Sequence, residues 1–232
     1  MSIKQNLNEI KRRVAEAAQA AGRDPAGIKI IAAVKTRSIE EVLEILEAGL
    51  RDIGDNRVQE AAARQSAIRQ KFPDVAWHMI GHLQRNKVRQ ALDIFDIIQS
   101  VDSERLAKEL DRRAKEKGIR VPILIEVNTS GEETKYGIPV DSAIDLVKKI
   151  ANLQNLLVRG LMTLGPLSPE AGRSRAAFAG LRRLSESLKA LNLPNVEMAH
   201  LSMGMTDDLE AAIAEGANMV RIGRALFGQR SG

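Results

Sequence analysis

The chain has 232 residues, 44% hydrophobic and 28% charged, the balance of a soluble globular protein long enough to bury a core without staples. It contains no cysteine, which excludes disulfides, thiolate metal sites and cysteine nucleophiles together, and its three histidines (His78, His82, His200) show no metal-ligand spacing. The net charge of +5 does not mark a nucleic-acid stripe, because the basic residues of KRRVAE, ERLAKELDRRAKEK and VKKI alternate with acidic ones at helical spacing; only RNKVR at 85–89 keeps that reading open.

In chain order, a helix is predicted over 2–21, in a segment with no apolar core of signal-peptide length. No stretch approaches the ~18 apolar residues of a membrane span, so a cytoplasmic protein is expected. Strands follow at Ile28–Val34, Asp52–Gly54, Ala76–Gly81, Phe95–Ser100, Pro122–Asn128, Leu157–Thr163, Val196–Leu201 and Met219–Gly223. Between them the pattern predicts helices at 38–48, 57–71, 84–92, 103–117, 140–151, 170–191 and 206–215. Strand–helix alternation with continuously apolar strands implies a parallel sheet buried on both faces. Eight such units match a closed (β/α)8 TIM barrel preceded by an extra helix, in one domain spanning 1–232 with no interdomain linker; GPLSPEAG at 165–172 reads as a loop. An open doubly wound sheet is the alternative, weakened because VKTRS stands where a Gly-rich fingerprint would follow the first strand.

A barrel carries its function at the C-terminal ends of its strands. Those ends present Lys35, Asn56, His78 and Gly81, Ser100, Asn128, Thr163, Ser202 and Arg221. A lysine directly after IIAAV either snorkels to solvent or reacts. After the predicted seventh strand, SMGMTDD offers the hydroxyls of Ser202 and Thr206 and bare backbone at Gly204; after the eighth, RIGRA offers Gly223. Loops at these two strands are where barrels commonly bind phosphate, with backbone N–H groups and helix N-termini as donors. Thr206 can equally cap the following helix. Lysine plus a phosphate-binding rim suggests a Schiff-base site. The free amine this requires is favoured by desolvation, from the apolar strand, or by a neighbouring cation, from Arg221.

AVKT at 33–36, GDNRVQE at 54–60, WHMIGHLQRNK at 77–87, VNTSGEETKYGI at 127–138, GLMTLG at 160–165 and LSMGMTDDLEAAIAEGANMVRIGRALFG at 201–228 together resemble the YggS-like pyridoxal phosphate homeostasis proteins. That family shares the barrel of the alanine racemase N-terminal domain, a fold-type III pyridoxal-phosphate-binding barrel. The resemblance implies pyridoxal 5'-phosphate as cofactor and Lys35 as the lysine that forms its internal aldimine. It implies that Ser202, Met203 and Gly204 grip the phosphate with Gly223 and Arg224, that Arg221 faces the pyridine nitrogen, and that Asn56, His78 and Ile80 line the pocket. Val34, Asp55 and Arg224 depart from the family pattern, where Ser or Thr, Glu, and a small hydroxyl residue are usual.

Racemisation on this barrel needs a second acid/base, in the racemases a tyrosine from a second domain. The one tyrosine here, Tyr136, sits in a TSGEETKYG context that reads as solvent-facing. A permanently charged Arg221 beside the pyridine nitrogen also disfavours its protonation. The expectation is therefore a non-catalytic carrier and buffer of pyridoxal phosphate, a monomer, with apo pyridoxal-phosphate enzymes as recipients; a weak amino-acid racemase is the alternative.

Overall fold

The computed structural model describes residues 2–132, 134–165 and 171–228. Helix α1 (Ile3–Ala20) opens on a capping box in which Ser2 and Gln5 satisfy each other's backbone N–H groups. Strands and helices then alternate: β1 (Lys29–Ala33), α2 (Ile39–Glu47), β2 (Asp52–Asp55), α3 (Val58–Lys71), β3 (Ala76–Met79), α4 (Val88–Ala91), β4 (Ile97–Val101), α5 (Glu104–Lys117) and β5 (Val121–Asn128). They continue with β6 (Ile138–Pro139), α6 (Val140–Ile150), β7 (Leu156–Met162), α7 (Ala171–Ala190), β8 (Val196–Ser202), α8 (Leu209–Ala214), β9 (Met219–Ile222) and α9 (Arg224–Phe227).

All the strand pairings are parallel. β1 pairs with β2 on one side and with β9 on the other, Ile30 opposite Val220 and Ile31 opposite Arg221. Together with the β4–β5 pairing this closes eight strands into a barrel and excludes the open sheet. The two-residue β6 pairs only with β5. Inside, Ile31, Leu124, Met162 and Met219 form a small apolar plug. The larger core lies between barrel and helices, where Trp77, Phe178, Ile45 and Leu46 are buried. Alternation of strand side chains sorts the two cores. Helix α1 packs on α8 and α9: Asn6 Nδ2 donates to the Leu226 carbonyl at 2.8 Å, and Arg13 pairs with Glu210 and donates to the Thr206 carbonyl at 2.9 Å. Among the described residues no helix is long and apolar enough to cross a membrane.

Several boundaries differ from the sequence expectation, each for a local reason. The helix expected at 84–92 is a 3-10 turn at Arg85–Lys87 followed by the single turn of α4. Phe95 is not in a strand but meets Trp77 edge-on at 6.4 Å between ring centroids. The helix expected from 206 begins at Leu209, because the Asp208 carboxylate accepts the Met205 N–H at 2.6 Å and holds 205–208 as a tight turn. Residues 166–170 of the expected 165–172 loop, and the first residue of the helix expected at 170–191, lie outside the described residues.

Candidate cofactor site at the barrel mouth

Lys35 follows β1 in a tight turn whose next residue, Thr36, is a non-glycine residue at φ +61°. Such a conformation persists only when its surroundings enforce it, and α3 supplies the enforcement. Glu60 accepts the Thr36 N–H at 3.1 Å, while Arg64, itself buried, donates to the Val34 carbonyl at 3.0 Å. Arg64 is in turn within 3.8 Å of Asp55, whose carboxyl also accepts the Trp77 indole N–H at 2.9 Å. Burial pushes Asp55 up to about 6, against the opposing pull of Arg64 and Trp77. The lysine is thus aimed by a buried clamp behind it.

A cleft of about 450 Å³ opens beside this turn, lined by Ala33, Lys35, Thr36, Gly223 and Arg224 and walled by Arg37 and Gly228. Arg37 fastens the wall: it donates to the Gly228 carbonyl at 2.8 Å and lies over the Phe227 ring. Barrel closure therefore brings Lys35 to the Gly223–Arg224 loop, as the sequence reading required. Lys35 is exposed, and the cations sharing its cleft are Arg37 and Arg224.

The segment after β8 packs tightly against α8. Gly204 sits at φ +91°, and a Cβ there would lie 2.5 Å from that of Ala212. Met203 buries its side chain in the outer core and commits its N–H to the Met219 carbonyl at 3.1 Å, leaving it a structural part here. Thr206 is not a helix cap; its hydroxyl receives the Ala225 N–H at 3.4 Å and ties this loop to α9. Arg224 is largely exposed and paired with Asp207 across the same rim. Gly223 caps α9, its carbonyl accepting the Leu226 and Phe227 N–H groups at 3.0 Å.

Arg221 lies deeper, 4% exposed, and donates at 2.6 Å to both the Ser202 hydroxyl and the Thr163 carbonyl. Burial lowers its pKa, while the charges of Glu126 and Asp208 oppose that loss. His78 is fully buried and engages Asp52 at 3.0 Å on one ring nitrogen and Gln99 at 2.8 Å on the other, so it belongs to the barrel interior. Ile80 folds over Gly54, where a Cβ would meet its Cδ1 at 2.8 Å. Half-buried Asn56 lies against Gly81, whose missing side chain lets the two backbones touch.

The sequence reading passed over Glu126. It is 3% exposed on β5 with Oε2 unpartnered, and burial beside Asp102 pushes it up to about 7 despite Arg221. A lone charged residue among VPILIEVN was the available signal. Tyr136 is 58% exposed, as expected, with its ring stacked on His82 at 4.2 Å.

The sequence profile of the alanine racemase N-terminal domain matches residues 5–231. The pyridoxal phosphate homeostasis protein of Pseudomonas aeruginosa is 41% identical over 99% of this chain and 96% of its own length, and that of Aquifex aeolicus 40% identical over 99% of each. This chain belongs to the pyridoxal phosphate homeostasis protein family. PipY of Synechococcus elongatus, solved with pyridoxal phosphate bound, is 36% identical with a TM-score of 0.82 over 93% of this chain and all of its own. The alanine racemase of Clostridium difficile shares the fold at TM-score 0.71 and 16% identity, this chain matching 57% of that longer one. The homeostasis proteins thus span the barrel end to end, and the racemase carries a large further part.

Proposed function

We propose that this protein is a non-catalytic carrier and buffer of pyridoxal 5'-phosphate, holding it covalently on Lys35. The observation that carries the proposal is the shared cleft: a solvent-reachable lysine, aimed by a strained turn, faces the glycine-bearing loop after β9. The residues fit the group. The cofactor's aldehyde and phosphate need an amine at one end of the cleft and donors at the other, and Gly223, with no side chain, presents bare backbone in that cleft.

When bound, pyridoxal phosphate supplies a reactive aldehyde conjugated to an electron-poor ring. The chain's own residues do the rest. Lys35 would supply the amine for the aldehyde, with loss of water; Gly204, Gly223 and Arg224 would hold the phosphate; Arg221 would offer a positive charge that disfavours a second one on the ring and so stabilises a carbanion poorly. A sequestered aldehyde of this kind serves supply to apo pyridoxal-phosphate enzymes, from a protein expected to work as a monomer in the cytoplasm.

The test is borohydride reduction of protein purified with its cofactor, followed by peptide mapping. A label on Lys35 is expected, and incubation with L-amino acids in deuterated water should leave their α-protons in place. A label elsewhere overturns the site; rapid α-exchange overturns the carrier reading in favour of a racemase.

A further inference from the structure

A row of side chains crosses the barrel interior from one end to the other. At the closed end Lys29 Nζ lies 3.4 Å from Asp52, and Asp52 accepts from His78 Nε2 at 3.0 Å. His78 Nδ1 meets Gln99 Nε2 at 2.8 Å, Gln99 Oε1 accepts the Ser202 hydroxyl at 2.6 Å, and Ser202 Oγ accepts from Arg221 at 2.6 Å. His78, Gln99 and Ser202 are fully buried. The row joins β1, β2, β3, β4, β8 and β9, and no single stretch of sequence contains it.

The Gln99 amide orientation, with donor counting, sets its direction. Arginine only donates, a serine hydroxyl has one hydrogen, and a glutamine presents an acceptor on one side and donors on the other. With Gln99 Oε1 toward Ser202, the one Ser202 hydrogen is spent on Gln99. Gln99 then donates to a bare His78 Nδ1, and His78 Nε2–H donates to Asp52. Every donor points away from the mouth, and Ser202 has nothing to give a phosphate oxygen.

The row satisfies itself in the other direction too. If the Gln99 amide turns over, its Nε2 donates to Ser202 Oγ and frees the hydroxyl hydrogen for an anion. Its Oε1 then requires a hydrogen on His78 Nδ1. His78 cannot give up Nε2–H in exchange, because a bare nitrogen would face the Asp52 carboxylate at 3.0 Å. The histidine must therefore carry both hydrogens.

We propose that Gln99 and His78 are positioning residues for the phosphate grip: when Ser202 donates to the phosphate, Gln99 turns over and His78 takes up one proton against Asp52. The proposal rests on the phosphate lying at the Ser202–Gly204 segment. The groups facing His78 are Asp52 from β2 and His200 from β8, with Lys29 of β1 acting through Asp52 and Arg221 of β9 through Ser202 and Gln99. Asp52 is suited to hold the new charge: burial opposes its ionisation, but His78 and Lys29 together keep it below the usual carboxylate range. Breaking the row instead, with Ser202 swinging to the anion and Gln99 Oε1 left bare, would strip a buried acceptor of its partner, which is costly.

The experiment is imidazole 15N NMR with and without pyridoxine 5'-phosphate, which has the phosphate but no aldehyde for Lys35; a His78→Gln variant assigns the signal. In the free protein His78 should be protonated on Nε2 alone, and with ligand on both nitrogens. Above about pH 7, where the phosphate is already a dianion, affinity should fall by up to tenfold per pH unit, the slope of one coupled proton. In Gln99→Leu, where nothing claims the Ser202 hydrogen, this pH dependence should flatten. Bound ligand with an unchanged His78 tautomer overturns the proposal. Ligand that fails to bind overturns the phosphate site beneath it, a distinguishable result.

Discussion

Two lysines stand at two clefts on opposite sides of the barrel mouth, and they are differently committed. On the β5–β6 side a cleft of about 560 Å³ is lined in part by Asn128, Thr129 and Lys135. There the Lys135 side chain is 11% exposed, its amine donating to the Gly165 carbonyl at 2.6 Å and pairing with Glu132 at 3.1 Å. On the β1–β9 side the cleft is smaller, about 450 Å³, but Lys35 is exposed in it, beside Ala33, Gly223 and the arginines Arg37 and Arg224. An amine held by a carbonyl and a carboxylate is a structural cation; one held by its backbone turn alone is available for chemistry.

Exchanging the two roles gives the largest expected effect. Lys35→Ala should yield colourless protein with no borohydride-fixed cofactor. Lys135→Ala should keep the colour and lose only what its two contacts contribute to the β5 loop. Loss of the fixed cofactor in Lys135→Ala with retention in Lys35→Ala would invert the comparison.

Gly204→Ala comes next. The left-handed region costs an L-residue roughly 1–2 kcal/mol, and overlap with the Ala212 methyl at 2.5 Å adds roughly 1–3 kcal/mol of overpacking. A stability loss of about 3 kcal/mol in chemical denaturation is expected, together with weakened phosphate binding. Gly223→Ala is its control: φ there is −118° and the nearest atom, the Ala33 carbonyl oxygen, is 3.4 Å away, so stability should barely move.

The two sides also differ in charge, since the β5 side buries Glu126. Its folded pKa is raised from 4.5 to about 7, so the stability tied to its protonated form is fully present below 4.5 and lost as pH rises to about 7. At 1.36 kcal/mol per unit that is at most about 3 kcal/mol. Glu126→Gln should therefore gain melting temperature over the parent as pH climbs from 4.5 to 7.5, with little difference at pH 4.5. Asp55 contributes a slope of the same sign between 3.8 and about 6 to both proteins, so it cancels in the comparison. A constant difference across pH would remove Glu126 from the account.

The fold was legible because period and chemistry agree: apolar runs of strand length alternate with capped helices such as Ser38–Glu47, whose SIEE opening forms a capping box. Lys35, Gly204 and Gly223 were legible because each interrupts its local pattern. What stayed hidden is what closure assembles. Gln99 and Ser202 are 103 positions apart, and nothing in IIQSV says that one side chain crosses the barrel to the other. The family resemblance puts His78 at the pocket, but only the closed barrel shows that strand parity turns it inward to Asp52 and Gln99. Thr206 looked like a helix cap because TDD is a good cap sequence, but the Asp208–Met205 turn moves the helix start three residues on.

The smallest predicted effect concerns the rim of the Lys35 side, where Arg224 stands at a position usually small in the family. Its guanidinium is held by Asp207, both side chains largely in solvent, and surface pairs of this kind are weak. A phosphate entering the cleft must share Arg224 with that carboxylate. Asp207→Asn removes the competitor without shortening the side chain, so pyridoxine 5'-phosphate should bind about two- to fivefold more tightly at low ionic strength. The gain should vanish in salt, because a rim charge is screened where the buried Arg221 is not. Arg224→Ala in the Asp207→Asn background should return affinity to the parent's level or below. If Asp207→Asn leaves affinity unchanged, Arg224 holds phosphate through its backbone alone, and its guanidinium belongs to the rim rather than to the cradle.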